Sequence, residues 1–167
     1  MFFTFDPTLL TILIQLTVAA LLGLVVGAER SIAGKSAGMR TFALVSLGAC
    51  LFTIVSVVIT TQYFGKVNFD PMRVPAAIIA GIGFIGAGLF IFRGSTMRGL
   101  TTAAGMWIAA GIGIAVGFGL YIIAAYTALM TLLIFTAVWF VEAKVKGYFG
   151  LHTPEPITGK DAEMSDE

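Results

Sequence analysis

Side chains able to do chemistry gather in two short stretches of this chain, "GAERSIAGKSAGMRT" (residues 27–41) and "RGSTMRGLTTAAGMW" (residues 93–107). Glu29 is the only acid in them, set among the basic residues Arg30, Lys35, Arg40, Arg93 and Arg98. Glu29 and Arg40 adjoin long apolar runs, where a desolvated charge needs a partner, so an ion pair of Glu29 with Arg40 or Arg98 is expected. Thr41 and the Thr101-Thr102 pair each open an apolar run. Hydroxyls placed there, in front of free helix N–H groups, can also receive an anion. A second candidate is Asp70 with Arg73. The simpler reading of that pair is a helix cap beside a snorkelling arginine, with a ligand site as the alternative.

Other chemistry is harder to assemble. No Asp, Glu, Lys, Arg or His lies inside any long apolar run, and the lone His152 falls in a polar tail. Buried ionisable groups usually mark coupled transport, because they are too costly to keep without a use. No catalytic triad, carboxylate pair or Cys/His cluster can be built, so neither an enzyme nor a bound cofactor is expected, and no nucleic-acid partner. The stretch "AGIGFIGAGLF" (80–90) does spell G-x-G-x-x-G through Gly81, Gly83 and Gly86. The dinucleotide fingerprint needs a preceding strand and an acidic residue about 20 positions on. Here the next acid is Glu142. These glycines, with Gly88, are read instead as helix-packing positions in a membrane span.

The elements that position these residues are apolar helices. Hydrophobic residues make up 58% of the 167 positions and charged residues 11%, against about a quarter charged in a soluble domain. The expected fold class is an all-α integral membrane protein, a bundle of five transmembrane helices. The apolar runs are Leu9–Ala28, Thr41–Thr61, Val74–Phe92, Leu100–Val116 and Leu120–Val141. Continuous runs of this length span a bilayer as helices. Asp6-Pro7 and Asp70-Pro71 read as helix starts, Pro75 as a kink at the entry of the third helix, and "GFG" (117–119) as a tight hairpin. The N-terminus "MFFTFDPTLL" has no basic residue, so the first run is expected to stay as a span. The single cysteine, Cys50, leaves no disulfide framework.

Basic residues near the span ends set the orientation. With the N-terminus outside, the inner face receives Arg30, Lys35, Arg40, Arg93, Arg98, Lys144 and Lys146, and the outer face only Lys66 and Arg73. The expectation is N-out and C-in, multi-pass in the cell membrane. Residues 1–149 form the helical domain, and residues 150–167, "LHTPEPITGKDAEMSDE" preceded by Gly150, an acidic disordered cytoplasmic tail. "SAGMRTFA" (36–43) and "STMRGLTTA" (95–103) echo one another, but so few matched residues do not establish a repeat.

Small residues recur every fourth position at Gly23/Gly27 and at Ala109/Gly113/Gly117, beside the Gly81–Gly88 set. Such surfaces bring helices close, and their abundance leads us to expect a very tight bundle or a homodimer. Trp107, mid-span, is expected to be a buried aromatic whose indole N–H wants a partner.

At this point the chain resembles a known family. "GLVVGAER", "AGMRTFALVSLGACLF", "RVPAAIIAGIGFIGAGLF" and "RGLTTAAGMWIAAGIGIAVGFG" are similar, in order and spacing, to the membrane domain of the MgtC/SapB family over about residues 20–119. The family's glutamate-arginine pair falls on Glu29 and Arg30, and its Ala-Gly-x-Arg-Thr on Ala37, Gly38, Arg40 and Thr41. Its glycine-rich stretch is Gly81 to Gly88, and its Gly-Leu-x-Thr-Ala-Ala falls on Gly99 to Ala104, with Trp107 after it. The resemblance implies an inner-membrane protein tied to magnesium limitation and, in some pathogens, to survival in host cells. One branch is associated with restraining the F-type ATP synthase rather than moving magnesium. Ala77 stands where family members often carry glutamine, and where many members have a soluble C-terminal domain only the acidic tail is expected here. The reading that follows is a non-enzymatic protein of magnesium or ion homeostasis that modulates a membrane complex; the alternative is a small oligomeric channel or transporter.

Overall fold

The computed structural model describes residues 7–63, 70, 72–89, 91–93 and 96–148. The expectations for Asp6, for Pro71 and for the acidic tail lie outside the described residues. Five helices run in chain order: α1 (Pro7–Ile32), α2 (Met39–Gln62), α3 (Arg73–Ala87), α4 (Leu100–Gly117) and α5 (Tyr121–Tyr148). Between α3 and α4 lie two short strands, β1 (Ile91–Arg93) and β2 (Thr96–Arg98), paired antiparallel with Phe92 opposite Met97.

α1, α2 and α4 are each long and apolar enough to cross a membrane, and the described apolar part of α5 is Tyr121–Ala137. The third helix departs from expectation. It ends at Ala87 after 15 residues, roughly 22 Å at 1.5 Å per residue, short of the ~30 Å hydrocarbon layer. The glycines in its second half weaken the helix, and Ile91-Phe92 suit a strand better. Pro75 occupies the third helical position, where its missing N–H needs no intrahelical acceptor, and it is fully buried.

Helix ends follow glycine chemistry. After α1, Gly34 adopts φ +64°, the Gly34 N–H bonds to the Ser31 carbonyl at 3.1 Å, and the Lys35 N–H to the Arg30 carbonyl at 2.9 Å. After α4, Gly119 (φ +77°) donates to the Val116 carbonyl at 2.8 Å and Leu120 to that of Ala115 at 2.8 Å. Both are Schellman closures, and the second makes the expected tight hairpin.

α4 is the centre of the bundle, with nine buried residues from Thr102 to Gly117. Its Met106, Ala109, Ile112 and Val116 share one core with Ala19 and Val26 of α1, Phe42 and Cys50 of α2, and Ala124, Ala128 and Phe135 of α5. α3 joins separately, through Ile82 against Ala49 and Ala110. Close approach is made by the four-residue spacings of α1 and α4. A methyl group built on Gly27 would lie 2.8 Å from Met39 Cα and Phe42 Cβ, and one on Gly117 2.7 Å from Thr53 Cβ. α2 is thus held between the glycines of α1 and those of α4.

The Gly81–Gly88 set behaves differently from its reading. Gly86 is buried and a methyl group built on it would lie 3.4 Å from Ala103 Cβ, but Gly81 and Gly83 are exposed and a methyl there would meet no described atom within 4 Å, while one on Gly88 would meet only carbonyls of its own turn. Trp107 is half exposed rather than buried, because α4 turns its 106, 109 and 113 positions inward and 107 away. Large apolar side chains cover the outside, with Phe84 85% and Ile122 87% exposed. An apolar exterior over such helices is the surface of a protein in lipid.

Candidate functional site: an ion pair over an aromatic ring

The site forms at the end of the bundle where α1 stops and α2 and α4 begin. Arg30 lies in the last turn of α1, where a cation complements the helix dipole. It is 4% exposed, a burial that an arginine tolerates only when paired. Its Nε donates to Glu29 Oε2. Its guanidinium stacks over the Phe135 ring of α5, 3.7 Å from the centroid. A desolvated cation on an aromatic face gains about 2 kcal/mol. The carboxylate and the ring together replace the water that Arg30 has lost.

Glycines make room for this arrangement. A methyl on Gly105 of α4 would meet Phe135 Cζ at 2.7 Å and Phe42 Cε1 at 3.1 Å. Phe42 in turn backs onto Gly27, two residues before Glu29. Thr102 is buried one turn before Gly105 on the same α4 face. Arg30, Phe42, Gly105 and Phe135 therefore compose one buried cluster drawn from four helices, with Glu29 at its partly exposed edge.

This corrects the expected pairing. Among the described residues Glu29 is bound by Arg30 and not by Arg40, which is exposed. The Arg98 backbone lies in β2 opposite Ile91, and its side chain lies outside the described residues. Thr101 is exposed while Thr102 is buried, so the two threonines do not act as a pair, and Thr41 is half-buried at the start of α2. At the opposite end, the Met72 N–H bonds to Asp70 Oδ1 at 2.8 Å, an Asx turn just ahead of α3 and not the helix cap expected of Asp70, since α3 starts after Met72 without a side-chain cap. Arg73 is exposed there. Among the described residues no three His, Cys, Asp or Glu side chains come together as a metal site.

Two polar residues escaped the sequence reading. Ser31 Oγ accepts the Met39 N–H at 3.0 Å, so a side chain of α1 caps α2 across the connecting loop. Gln15, the one amide inside α1, donates to the Val116 and Gly117 carbonyls at 3.1 and 3.3 Å. It satisfies open carbonyls at the C-terminus of α4. An amide alone in an apolar run was the signal that could have found it. Buried Thr53 and Thr131 bond back to their own helix, to the Ala49 and Thr127 carbonyls. Ser46 Oγ, where α1 and α4 both close on α2, is buried without a partner among the described residues.

The sequence pattern of the MgtC family matches residues 16–144, which takes in the whole site. The chain is 41% identical over 127 residues to a protein of Escherichia coli K12 named putative magnesium transporter YhiD, covering 73% of this chain and 58% of that one. It is 40% identical over 96 residues to protein SapB of Bacillus subtilis, covering 56% of this chain and 41% of that one. Protein MgtC of Salmonella typhimurium LT2 is 41% identical over 92 residues, covering 55% of this chain and 37% of its own length. The chain spans about half the length of the curated relatives it matches. No solved structure matches it. A match through all five helices, and through the Glu29–Arg30 pair that the fold buries, leads to one statement: this chain is a membrane protein and belongs to the MgtC family.

Proposed function

We propose that the protein serves magnesium or ion homeostasis without catalysing a reaction, through the charged layer centred on Glu29 and Arg30 at its cytoplasmic face. The observation that carries the reading is the buried Arg30, held by Glu29 and stacked on Phe135. An ion pair adds little stability once desolvation is counted, and an apolar replacement is often as good. A pair kept at such cost suits a two-state element, since removing one partner leaves the other buried and uncompensated. Arg40, Thr41, Arg98 and Thr101 flank it as the contact surface for another membrane complex, of which the F-type ATP synthase is the candidate that the family resemblance implies. The protein acts as a homodimer in the inner membrane. The Gly83 face of α3, which a methyl group would extend without meeting any described atom within 4 Å, is the surface for the second copy.

A second reading, a small oligomeric ion channel or transporter, has one support: the name of the relative described as a putative magnesium transporter. Purified protein in liposomes separates the two. Magnesium flux that is lost in Glu29→Gln establishes the transport reading. Absence of flux, with loss of magnesium-limited growth in the same variant, establishes modulation.

A further inference from the structure

α3 touches the bundle through Ile82 and Ile78, which pack with Ala49 and Ala110. Toward its start it parts from α2 and leaves an open groove of about 620 Å³ lined by Phe52, Arg73, Val74, Ala77 and Ile78. The groove is shallow and open along its side, so it offers a surface for a ligand to lie against and not an enclosing pocket. Its chemistry is split along its length. Arg73 stands at the mouth, and Val74, Ala77 and Ile78 continue the same stripe of α3 for roughly 7 Å toward the bundle's middle. Phe52, 57% exposed, forms the α2 wall.

The Arg73 guanidinium has no partner among the described residues; the nearby Asp70 carboxylate is engaged by the Met72 N–H instead. A groove with an unpaired cation at the headgroup end and only hydrocarbon below has the polarity of an amphiphile of opposite charge. We propose that it binds one anionic phospholipid, with the phosphate on Arg73 and an acyl chain between Phe52 and the Val74–Ile78 stripe. The lipid extends, toward the start of α3, the contact that α2 and α3 make through Ala49 and Ile82. It also holds α3, the shortest helix, at the level where its own length falls short of the bilayer.

The inference rests on the chain being embedded in a bilayer, and incorporation into nanodiscs tests that part by itself. The full chain is reconstituted in nanodiscs of phosphatidylglycerol and phosphatidylcholine in equal amounts, and lipids retained on the released protein are counted by native mass spectrometry. Wild type should retain phosphatidylglycerol about fivefold over phosphatidylcholine, the equivalent of the ~1 kcal/mol one basic residue gains at an anionic surface. Arg73→Gln should bring the ratio close to one, Ala77→Trp should remove retention of both lipids by filling the groove, and Lys35→Gln should leave the preference intact. A preference unchanged in Arg73→Gln overturns the proposal. So does a dimer mass that Ala77→Trp converts to monomer, because the groove would then hold a second copy.

Discussion

Gly111 and Gly113, two residues apart, lie on opposite faces of α4 and should respond in opposite senses to the same methyl group. On Gly113 that methyl would collide with the Ser46 carbonyl oxygen and come within 2.9 Å of its carbon and 3.0 Å of Ala49 Cβ. The first two are backbone atoms of α2, which cannot turn aside as a side-chain tip can. Overpacking costs ~1–3 kcal/mol, and rigid neighbours put this case at the upper end. Alanine's better helix propensity returns at most ~1 kcal/mol. The net for Gly113→Ala is a loss of about 1–2 kcal/mol, or a fall of roughly 2–8 °C in midpoint for a chain of this size. On Gly111 nothing lies within 4 Å, so only the propensity gain remains and Gly111→Ala should unfold at or above the wild-type temperature. Thermal unfolding of both variants in one detergent, followed by intrinsic fluorescence, measures the difference. Equal shifts would refute the claim that α4 closes on α2 through Gly113.

Gln15→Leu should lower the midpoint by the equivalent of about 1–2 kcal/mol, as two hydrogen bonds to the α4 terminus are lost, and the same melt reads it. Ser31→Ala should cost about 1 kcal/mol by uncapping α2, with faster amide exchange confined to Met39 and the first turn of α2. Gly83→Leu should leave the fold intact but reduce a dimer to monomer by mass measurement in nanodiscs, because a methyl group on Gly83 meets no described atom of its own chain within 4 Å. Cysteines placed at Lys35 and Lys66, in a Cys50→Ala background, should be labelled from the cytoplasmic and outer sides respectively; the reverse pattern contradicts the orientation.

Helix positions were largely legible because their signals are local. Leu100 opens α4 and the four-residue spacings of Gly23/Gly27 and Gly113/Gly117 mark contacts that the bundle uses. α3 was read too long because an apolar run such as Leu89–Phe92 does not by itself distinguish helix from strand. The packing role assigned to Gly81 and Gly83 was read from spacing alone, and spacing does not say which faces the other helices cover. The charged layer was visible in composition, but its pairing was not. Neighbours i and i+1 do not face each other on a regular helix, so Arg30 was passed over as a partner for Glu29. Its burial depends on Phe135, a residue more than a hundred positions away whose approach only the packing of α1, α4 and α5 decides.

On the proposed function, the Glu29–Arg30 pair matters and the surrounding positive charge does not. Growth under magnesium limitation measures this in a strain lacking the protein, complemented with wild type, Glu29→Gln or Lys35→Gln at matched membrane levels. Lys35→Gln should restore growth as wild type does, and Glu29→Gln should fail. Full growth with Glu29→Gln at wild-type abundance would contradict the account.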